Sequence, residues 1–277
     1  PSILGEIRRI FRDGGAVKVS RSLKEKASEL AAVKEKFEKE NSFWLNDYSL
    51  YAAIKDYHNG ASFDYWEKGY KSREAEFIKK AEKELGDSIA FHKMLQYFFS
   101  SQWFKLKEYA NNKGIYIIGD IPIYVAFDSS DTWANPELFQ LDEENIPTGV
   151  AGCPPDAFSA TGQLWGNPLY DWAEMEKDGF SWWKERLSFA LELFDGVRID
   201  HFRGFESFWA VKGTEKTAKN GKWVKGPGMK LIKVFNEVKG DKLIIAEDLG
   251  DITEDVEKLV NDSGFPGMRV FQFGFLS

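Results

Sequence analysis

The chain has 277 residues, 43% of them hydrophobic and 16% aromatic, which is enough to bury a large core in one or two domains. Its formal net charge of −7 argues against a nucleic acid or an anionic membrane surface as a partner. The single cysteine, Cys153, excludes an internal disulfide framework and suits a reducing compartment. No apolar run reaches the roughly 18 residues of a membrane span, and no apolar leader opens the chain, so we expect a cytoplasmic location.

The first 112 residues are dominated by helical patterns, and we assign them to a helical subdomain. The predicted helices cover residues 20–41, 43–57, 73–85 and 89–111. Asp87 or Ser88 is the expected N-cap of the last helix. Its apolar side chains recur at helical spacing and predict a core-facing stripe, which consists of Phe91, Leu95, Phe98, Phe99, Trp103 and Leu106.

Short apolar segments alternate with helices in the remainder, residues 113–277. The predicted strands are 114–120, 196–200, 243–247 and 268–275. The helices predicted between them cover 182–193, 229–238 and 253–261. This alternation is typical of an α/β fold with a parallel sheet.

A long irregular stretch, residues 121–170, separates the first two of these strands. It is rich in Pro, Gly, Asn and Asp, and it is too long for a plain crossover between parallel strands. We therefore predict a functional excursion that lies over the mouth of the sheet. A second irregular stretch is predicted at 213–228.

Three of the predicted strands end in a carboxylate: Asp120, Asp200 and Glu247. Arg198 lies two residues before Asp200, hence on the same face, where its charge would keep that carboxylate ionised. Glu247 follows four apolar residues. Apolar surroundings would favour its protonated form and let it act as an acid and then as a base. Two carboxylates at ~5–5.5 Å would make a retaining glycoside site, and a wider gap an inverting one.

Less specific interpretations of these residues exist. A structural ion pair explains Arg198 and Asp200 alone, and a helix N-terminal cap explains Glu247. A metal site would use Asp120, Asp200, His201 and Glu247, but no HxH or HxxxH spacing supports it. A nucleotide site fails for lack of a Gly-rich phosphate loop after a strand.

Six motifs follow one another along the chain: GDIPIYVA at 119–126, DSSDTW at 128–133, GCPPD at 152–156, GQLWGNPLY at 162–170, VRIDHFRG at 197–204 and AEDLG at 246–250. In this order they resemble the 4-α-glucanotransferases, the amylomaltases or disproportionating enzymes of glycoside hydrolase family 77. The resemblance runs from about Phe43 to the last residue.

The resemblance implies a (β/α)8 TIM barrel that acts on α-1,4-glucans without metal or organic cofactor. By motif position, Asp200 resembles the nucleophile that forms a glucosyl-enzyme, and Glu247 resembles the general acid/base. Arg198 resembles the arginine that orients the nucleophile, His201 a ligand of the donor sugar, and Asp120 a polar anchor at the end of the third barrel strand.

The same resemblance places Pro154, Asp156 and Trp165 in a loop that covers the bound glucan. For Trp165, a role in the loop's own core is an equal alternative. Cys153 stands where the family often has a valine, with no obvious chemical role. The implied partners are maltooligosaccharides, starch or glycogen, with glucose as an acceptor and neither nucleic acid nor membrane.

The chain also departs from the family. A His-Asp motif at the seventh strand, which carries a third catalytic carboxylate, is absent, and so are the motifs around the first two strands. We therefore expect an internal fragment with roughly strands three to six of eight, little activity alone, and self-association through open sheet edges. An α-glucan hydrolase and a glucan-binding module without chemistry remain the alternatives.

Overall fold

A computed structural model describes residues 21–157 and 159–275 of the chain. The chain falls into two compact units, Pro1–Gln102 and Trp103–Ser277. Within the described residues, no helix is both long enough and apolar enough to span a bilayer.

The first unit is helical, and the four helices predicted for it are confirmed with small shifts of their ends. Its helices are α1 (Arg21–Glu40), α2 (Ser42–Tyr57), α3 (Lys68–Lys71), α4 (Ala75–Glu84) and α5 (Gly86–Asn111), the last of which runs on into the second unit. A 3-10 turn, Phe63–Tyr65, precedes α3. Its core includes Leu45, Ile54 and Tyr70, each at most 2% exposed. Ser20, the first residue of the first predicted helix, lies outside the described residues.

Two predictions about α5 are wrong. The helix begins at Gly86, because the N–H of Ile89 already bonds the carbonyl of Leu85, so Asp87 and Ser88 lie inside its first turn. The apolar stripe is not core: none of the α5 side chains is buried, and Phe99 is 58% exposed. Periodicity identifies the apolar side of a helix but not whether another element covers it.

The second unit contains seven strands among the described residues. These are β1 (Ile118–Pro122), β2 (Gly149–Cys153), β3 (Gln163–Pro168), β4 (Gly196–Asp200), β5 (Ser207–Lys212), β6 (Lys222–Lys225) and β7 (Leu243–Ala246). Its further helices are α6 (Ser130–Ala134), α7 (Trp172–Lys177), α8 (Ser181–Leu193), α9 (Met229–Lys239) and α10 (Glu254–Ser263). The predictions of α8, α9 and α10 are confirmed.

A three-stranded parallel sheet, in the order β1-β4-β7, contains the strands that were predicted to end in carboxylates. Val197 and Ile199 of β4 are fully buried, while the alternate residues Arg198 and Asp200 are not, as the alternating pattern predicts. The register pairs Asp120 with Arg198 and Ile199 with Ala246, so the carboxyl ends of the three strands meet at one edge. The predictions of strands 196–200 and 243–247 are therefore confirmed.

The strand predicted at 114–120 is displaced. β1 starts at Ile118 and continues to Pro122, which places Asp120 in its middle and not at its end. Residues before Ile118 close the preceding helix instead, because the N–H of Ile115 bonds the carbonyl of Ala110. The N–H of Ile117 is likewise taken, by the carboxylate of Asp195.

The excursion predicted at 121–170 is not irregular throughout. It contains β2 and β3, which join β5 and β6 in an antiparallel sheet of order β3-β2-β5-β6. The stretch predicted as irregular at 213–228 likewise contains β6. Gly and Pro suggested loops here, but the glycines of β2 serve close packing: a Cβ on Gly152 would stand 2.3 Å from the carbonyl oxygen of Gln163.

The strand predicted at 268–275 is also wrong. Residues 266–270 form no strand, and Phe271–Phe275 is a 3-10 turn. The side chains of Phe271 and Phe275 are 78% and 72% exposed, so no described element covers the apolar run that suggested a buried strand. An apolar run becomes a strand only where a neighbouring strand satisfies its backbone.

The core of the second unit lies between the parallel sheet and its helices. Trp183 of α8, Phe205 after β4 and Phe235 of α9 are fully buried, with ring centroids 5.4–5.6 Å apart. Burial of each such aromatic side chain contributes on the order of 2–3 kcal/mol. This packing supports the sheet whose carboxyl edge carries the polar side chains.

Candidate active site

Asp120, Arg198 and Asp200 form one hydrogen-bonded group at the carboxyl edge of the parallel sheet, here called the Arg198 cluster. One terminal nitrogen of Arg198 donates to both oxygens of Asp120, at 2.7 and 2.6 Å. The other terminal nitrogen donates to Oδ1 of Asp200 at 2.6 Å. The predicted pairing of Arg198 with Asp200 is confirmed, and a second carboxylate shares the same guanidinium.

The strand register explains this group. Asp120 is the cross-strand partner of Arg198, and Asp200 is its i+2 neighbour, so all three side chains share one face. Burial alone would lower the pKa of Arg198, but the hydrogen bonds and charges of Asp120 and Asp200 raise it above its usual value. The arginine is 26% exposed and Asp200 is 47% exposed, so a carboxylate held by a permanent cation still faces solvent.

Glu247 follows β7 directly, beside the end of β4. Its backbone N–H bonds the carbonyl of Ile199 at 3.1 Å, which continues the parallel ladder past the strand. Both side-chain oxygens accept backbone N–H groups, Oε2 from His201 and Oε1 from Leu249, each at 2.9 Å. The carboxyl group is therefore oriented by two backbone amides, one in the turn after β4 and one in its own loop after β7.

His201, whose N–H bonds Glu247, has a left-handed backbone, with φ of 53°. Its imidazole packs edge-on against Trp165, with ring centroids 4.9 Å apart. Nε2 is buried and makes no hydrogen bond within the described part of the chain. Burial, and secondarily the charge of Arg203, lowers the pKa of His201 to about 4, so this imidazole is neutral near pH 7.

The antiparallel sheet brings Trp165 of β3 to the site. Besides His201, its ring lies 6.3 Å from that of Tyr124, which stacks on Tyr170 at 5.7 Å. Trp165 is 37% exposed, so it presents ring surface to solvent beside the polar groups. Such a surface can stack on the C–H face of a sugar.

The loop after β2 carries Pro154 and Asp156. Pro154 is half-buried and directly follows Cys153, and Asp156 is exposed and accepts the N–H of Ser159 at 2.7 Å. Burial raises the pKa of the Cys153 thiol to about 11, with Arg203 opposing and Asp156 and Glu247 adding to the rise. Both carboxylates therefore act electrostatically on this thiol, which sequence reasoning had left without a role.

Two further residues of the site, Arg203 and Asp248, were not predicted as site residues, although both lie in the family motifs. Asp248 accepts the N–H of Met268 at 2.7 Å, and the sulfur of Met268 lies 3.2 Å from Nε of Arg198. Only their positions in the sequence could have indicated them: Asp248 follows Glu247 directly, and Arg203 lies three residues after Asp200. Among residues 21–157 and 159–275, no three His, Cys, Asp or Glu side chains are grouped to hold a metal ion.

A parallel sheet flanked by helices, with polar side chains at its carboxyl edge, defines an α/β protein whose candidate site lies where such proteins place their active sites. The sequence matches the family described as 4-alpha-glucanotransferase, glycoside hydrolase family 77, over residues 10–277. A 4-alpha-glucanotransferase of Clostridium butyricum is 54% identical over 241 residues, which cover 87% of this chain and 50% of that protein. One of Thermus thermophilus is 50% identical over 256 residues, which cover 92% of this chain and 51% of that protein.

A solved structure, amylomaltase from Streptococcus agalactiae in complex with acarbose, superposes with a TM-score of 0.85 at 41% identity. The match covers 95% of this chain and 55% of that one. The chain belongs to the 4-alpha-glucanotransferase family, glycoside hydrolase family 77. It spans about half the length of the relatives that it matches.

Proposed function

We propose that the protein carrying this sequence transfers α-1,4-glucan segments between maltodextrins with retention of configuration. Asp200 is the nucleophile, and Glu247 is the general acid/base. The observation that carries the proposal is the Arg198 cluster, which holds Asp200 at the end of β4, while the doubly anchored Glu247 follows the end of the paired strand β7. Family membership and the name of the acarbose complex support an α-glucan as the substrate class.

In the first half-reaction, a carboxylate oxygen of Asp200 attacks the anomeric carbon and the glycosidic C–O bond breaks. Glu247 donates its proton to the departing 4-oxygen, which leaves a glucosyl ester on Asp200. In the second half-reaction, Glu247 takes the proton of an acceptor 4-hydroxyl, whose oxygen attacks the same carbon and releases Asp200. Two inversions give net retention.

The other residues of the site bind and orient. Arg198, a permanent cation bonded to Asp200 and Asp120, holds the carboxylate of the nucleophile in place. His201 and Asp120 offer polar contacts to the donor sugar, and Trp165 offers an exposed ring. Pro154 and Asp156, in the loop after β2, cover the glucan and slow the access of water to the ester, which favours transfer over hydrolysis.

We further propose that the parallel sheet is part of a (β/α)8 barrel, with residues 113–277 supplying barrel strands three to five as β1, β4 and β7. Strands outside these residues would complete the cleft and supply the third carboxylate. The open edges of such a partial sheet favour self-association. A cytoplasmic location stays a prediction.

Incubation with maltotriose followed by chromatography tests the proposal. We expect a ladder of longer glucans plus glucose from the full-length protein that carries this sequence, and little from the 277-residue polypeptide alone. Asp200→Asn should abolish the ladder, because the amide is not a nucleophile. The matched control is Asp241→Asn, which changes an exposed carboxylate just before β7 and should leave the products unchanged.

The products separate the alternatives. Growth of reducing ends without longer glucans would indicate a hydrolase. Binding of maltodextrin without turnover, in the full-length protein, would indicate a binding module. A ladder that survives Asp200→Asn would remove Asp200 from the role of nucleophile.

A further inference from the structure

Arg203 is the only charged side chain that is buried among the described residues, at 4% exposed. It lies three residues after Asp200 in the 3-10 turn Phe202–Phe205. Burying a guanidinium is costly unless its donors are used. Where those donors go therefore indicates what the residue does.

The guanidinium makes contacts with two separate parts of the second unit. On one side it lies over the ring of Trp223 of β6, 3.9 Å from the centroid, and donates to Oγ of Ser207 of β5 at 3.1 Å. On the other side it donates to the backbone carbonyl of Asp251, whose carboxylate also lies 3.5 Å away. Arg203 thus ties the loop after β7 to the antiparallel sheet.

That loop, residues 247–251, carries the candidate acid/base. Its first residue is held by the N–H of Phe202, which bonds the carbonyl of Glu247 at 3.2 Å, and its fifth residue is held by Arg203. Between these anchors lie Leu249, whose N–H bonds Oε1 of Glu247, and Gly250, with φ of +91°. A glycine in this conformation gives the loop freedom to move unless both ends are fixed.

We propose that Arg203 is a positioning residue for Glu247, acting through Asp251 and the amide of Leu249. Without this anchor, the Leu249 amide leaves Oε1 and the carboxyl group loses its aim at the glycosidic oxygen. Asp200 belongs to β4, and its partner Arg198 is untouched, so the nucleophile keeps its place. This inference rests on the proposed function, because it assumes the roles of Asp200 and Glu247.

The test compares two donors in the first half-reaction of the full-length protein. Maltotriose needs the proton of Glu247 for its leaving 4-oxygen, whereas α-maltosyl fluoride loses fluoride without protonation and needs only the nucleophile. Displacement of a catalytic group by ~1 Å can cost about 100-fold in rate, so we expect Arg203→Lys to slow cleavage of maltotriose by about that factor. Fluoride release should stay within about threefold, since general acid catalysis does not contribute to it.

Two other variants sharpen the comparison. Arg73→Lys is the matched control, because Arg73 bonds Asp47 at 2.6 Å within the first unit and has no part in the 247–251 loop. It should leave the ratio of the two rates unchanged even if it lowers the melting temperature. Trp223→Leu removes the ring under Arg203 at a 38% exposed position, so it should fold and shift the ratio in the same direction by less.

Equal losses on both donors in Arg203→Lys and Trp223→Leu, or no loss on either, would overturn the positioning role. Unequal losses that spare the fluoride would support it. A wild-type protein that turns over neither donor would instead contradict the proposed function itself.

Discussion

The backbone N–H of His201 donates to Oε2 of Glu247 over 2.9 Å, so the residue after the candidate nucleophile orients the candidate acid/base. The parallel ladder is interrupted here: the N–H of Phe202 takes the carbonyl of Glu247, the N–H of His201 is left for the side chain, and His201 itself has φ of 53°. Left-handed backbone in a residue other than Gly costs of order 1–2 kcal/mol. The strained residue is therefore the one that follows Asp200 in the chain and bonds the side chain of Glu247.

Substitutions of His201 should separate its backbone role from its imidazole. Val and Asn both remove the ring, but a β-branched residue tolerates positive φ poorly whereas Asn adopts it readily. We expect His201→Val to be less stable than His201→Asn by about 1–2 kcal/mol in chemical denaturation. Transfer from maltotriose should also be lower in His201→Val, and equal activity and stability of the two would contradict this prediction.

His201 also predicts a pH dependence of stability. Its folded pKa of about 4 lies below the ordinary 6.5, so the unfolded chain binds a proton first as pH falls. Stability should therefore fall from about pH 6.5 to pH 4, by an amount on the order of 3 kcal/mol. The measurement is the free energy of unfolding against pH, with His201→Asn as the reference that should lack this component; parallel curves would rule it out.

Arg198 should not be replaceable by lysine. Its two terminal nitrogens serve different carboxylates, Asp120 and Asp200, and a single ammonium group cannot reproduce that fork. Loss of one charge-assisted hydrogen bond costs about 1.5–3 kcal/mol, so we expect Arg198→Lys to lower kcat roughly 10- to 100-fold. The Arg269→Lys control changes an arginine that is 87% exposed and should keep wild-type kcat.

Asp195 should contribute to stability at the opposite end of the parallel sheet. Its carboxylate accepts the N–H of Ile117 at 2.8 Å and the amide of Asn111 at 2.9 Å. Partial burial alone would raise the pKa of Asp195, but these bonds and Lys107 lower it below the ordinary 3.8. We expect Asp195→Ala to lose roughly 1–3 kcal/mol at neutral pH, measured by thermal or chemical denaturation.

The sign of the Asp195 contribution can be checked in acid. Because its folded pKa is depressed, its contribution is complete above the unfolded pKa and is lost as pH falls below 3.8. The stability difference between the wild type and Asp195→Ala should shrink in that range. A difference that stays constant below pH 3 would show that the charge is not the cause.

Local sequence patterns were sufficient for the longer helices and for β4 and β7, but not for the short helices α3, α6 and α7. Val197 and Ile199 alternate with Arg198 and Asp200, and this alternation alone predicts both the buried face and the ion pair. The motifs around Asp200 and Glu247 likewise identified the family before any contact was known. Information of this kind is carried by residues that are close together in the chain.

The antiparallel sheet, the exposure of α5 and the second partner of Arg198 depended on the tertiary structure. The residues of β2 and β3 were predicted to be irregular because their glycines and prolines disfavour strands. Only pairing with β5 and β6 makes them a sheet, and this sheet brings Trp165 to His201. Asp120 lies 78 residues from Arg198, and Arg203 lies 48 residues from Asp251. Such partnerships are set by strand register and loop packing, which have no periodic trace in the sequence, so only the folded chain determines them.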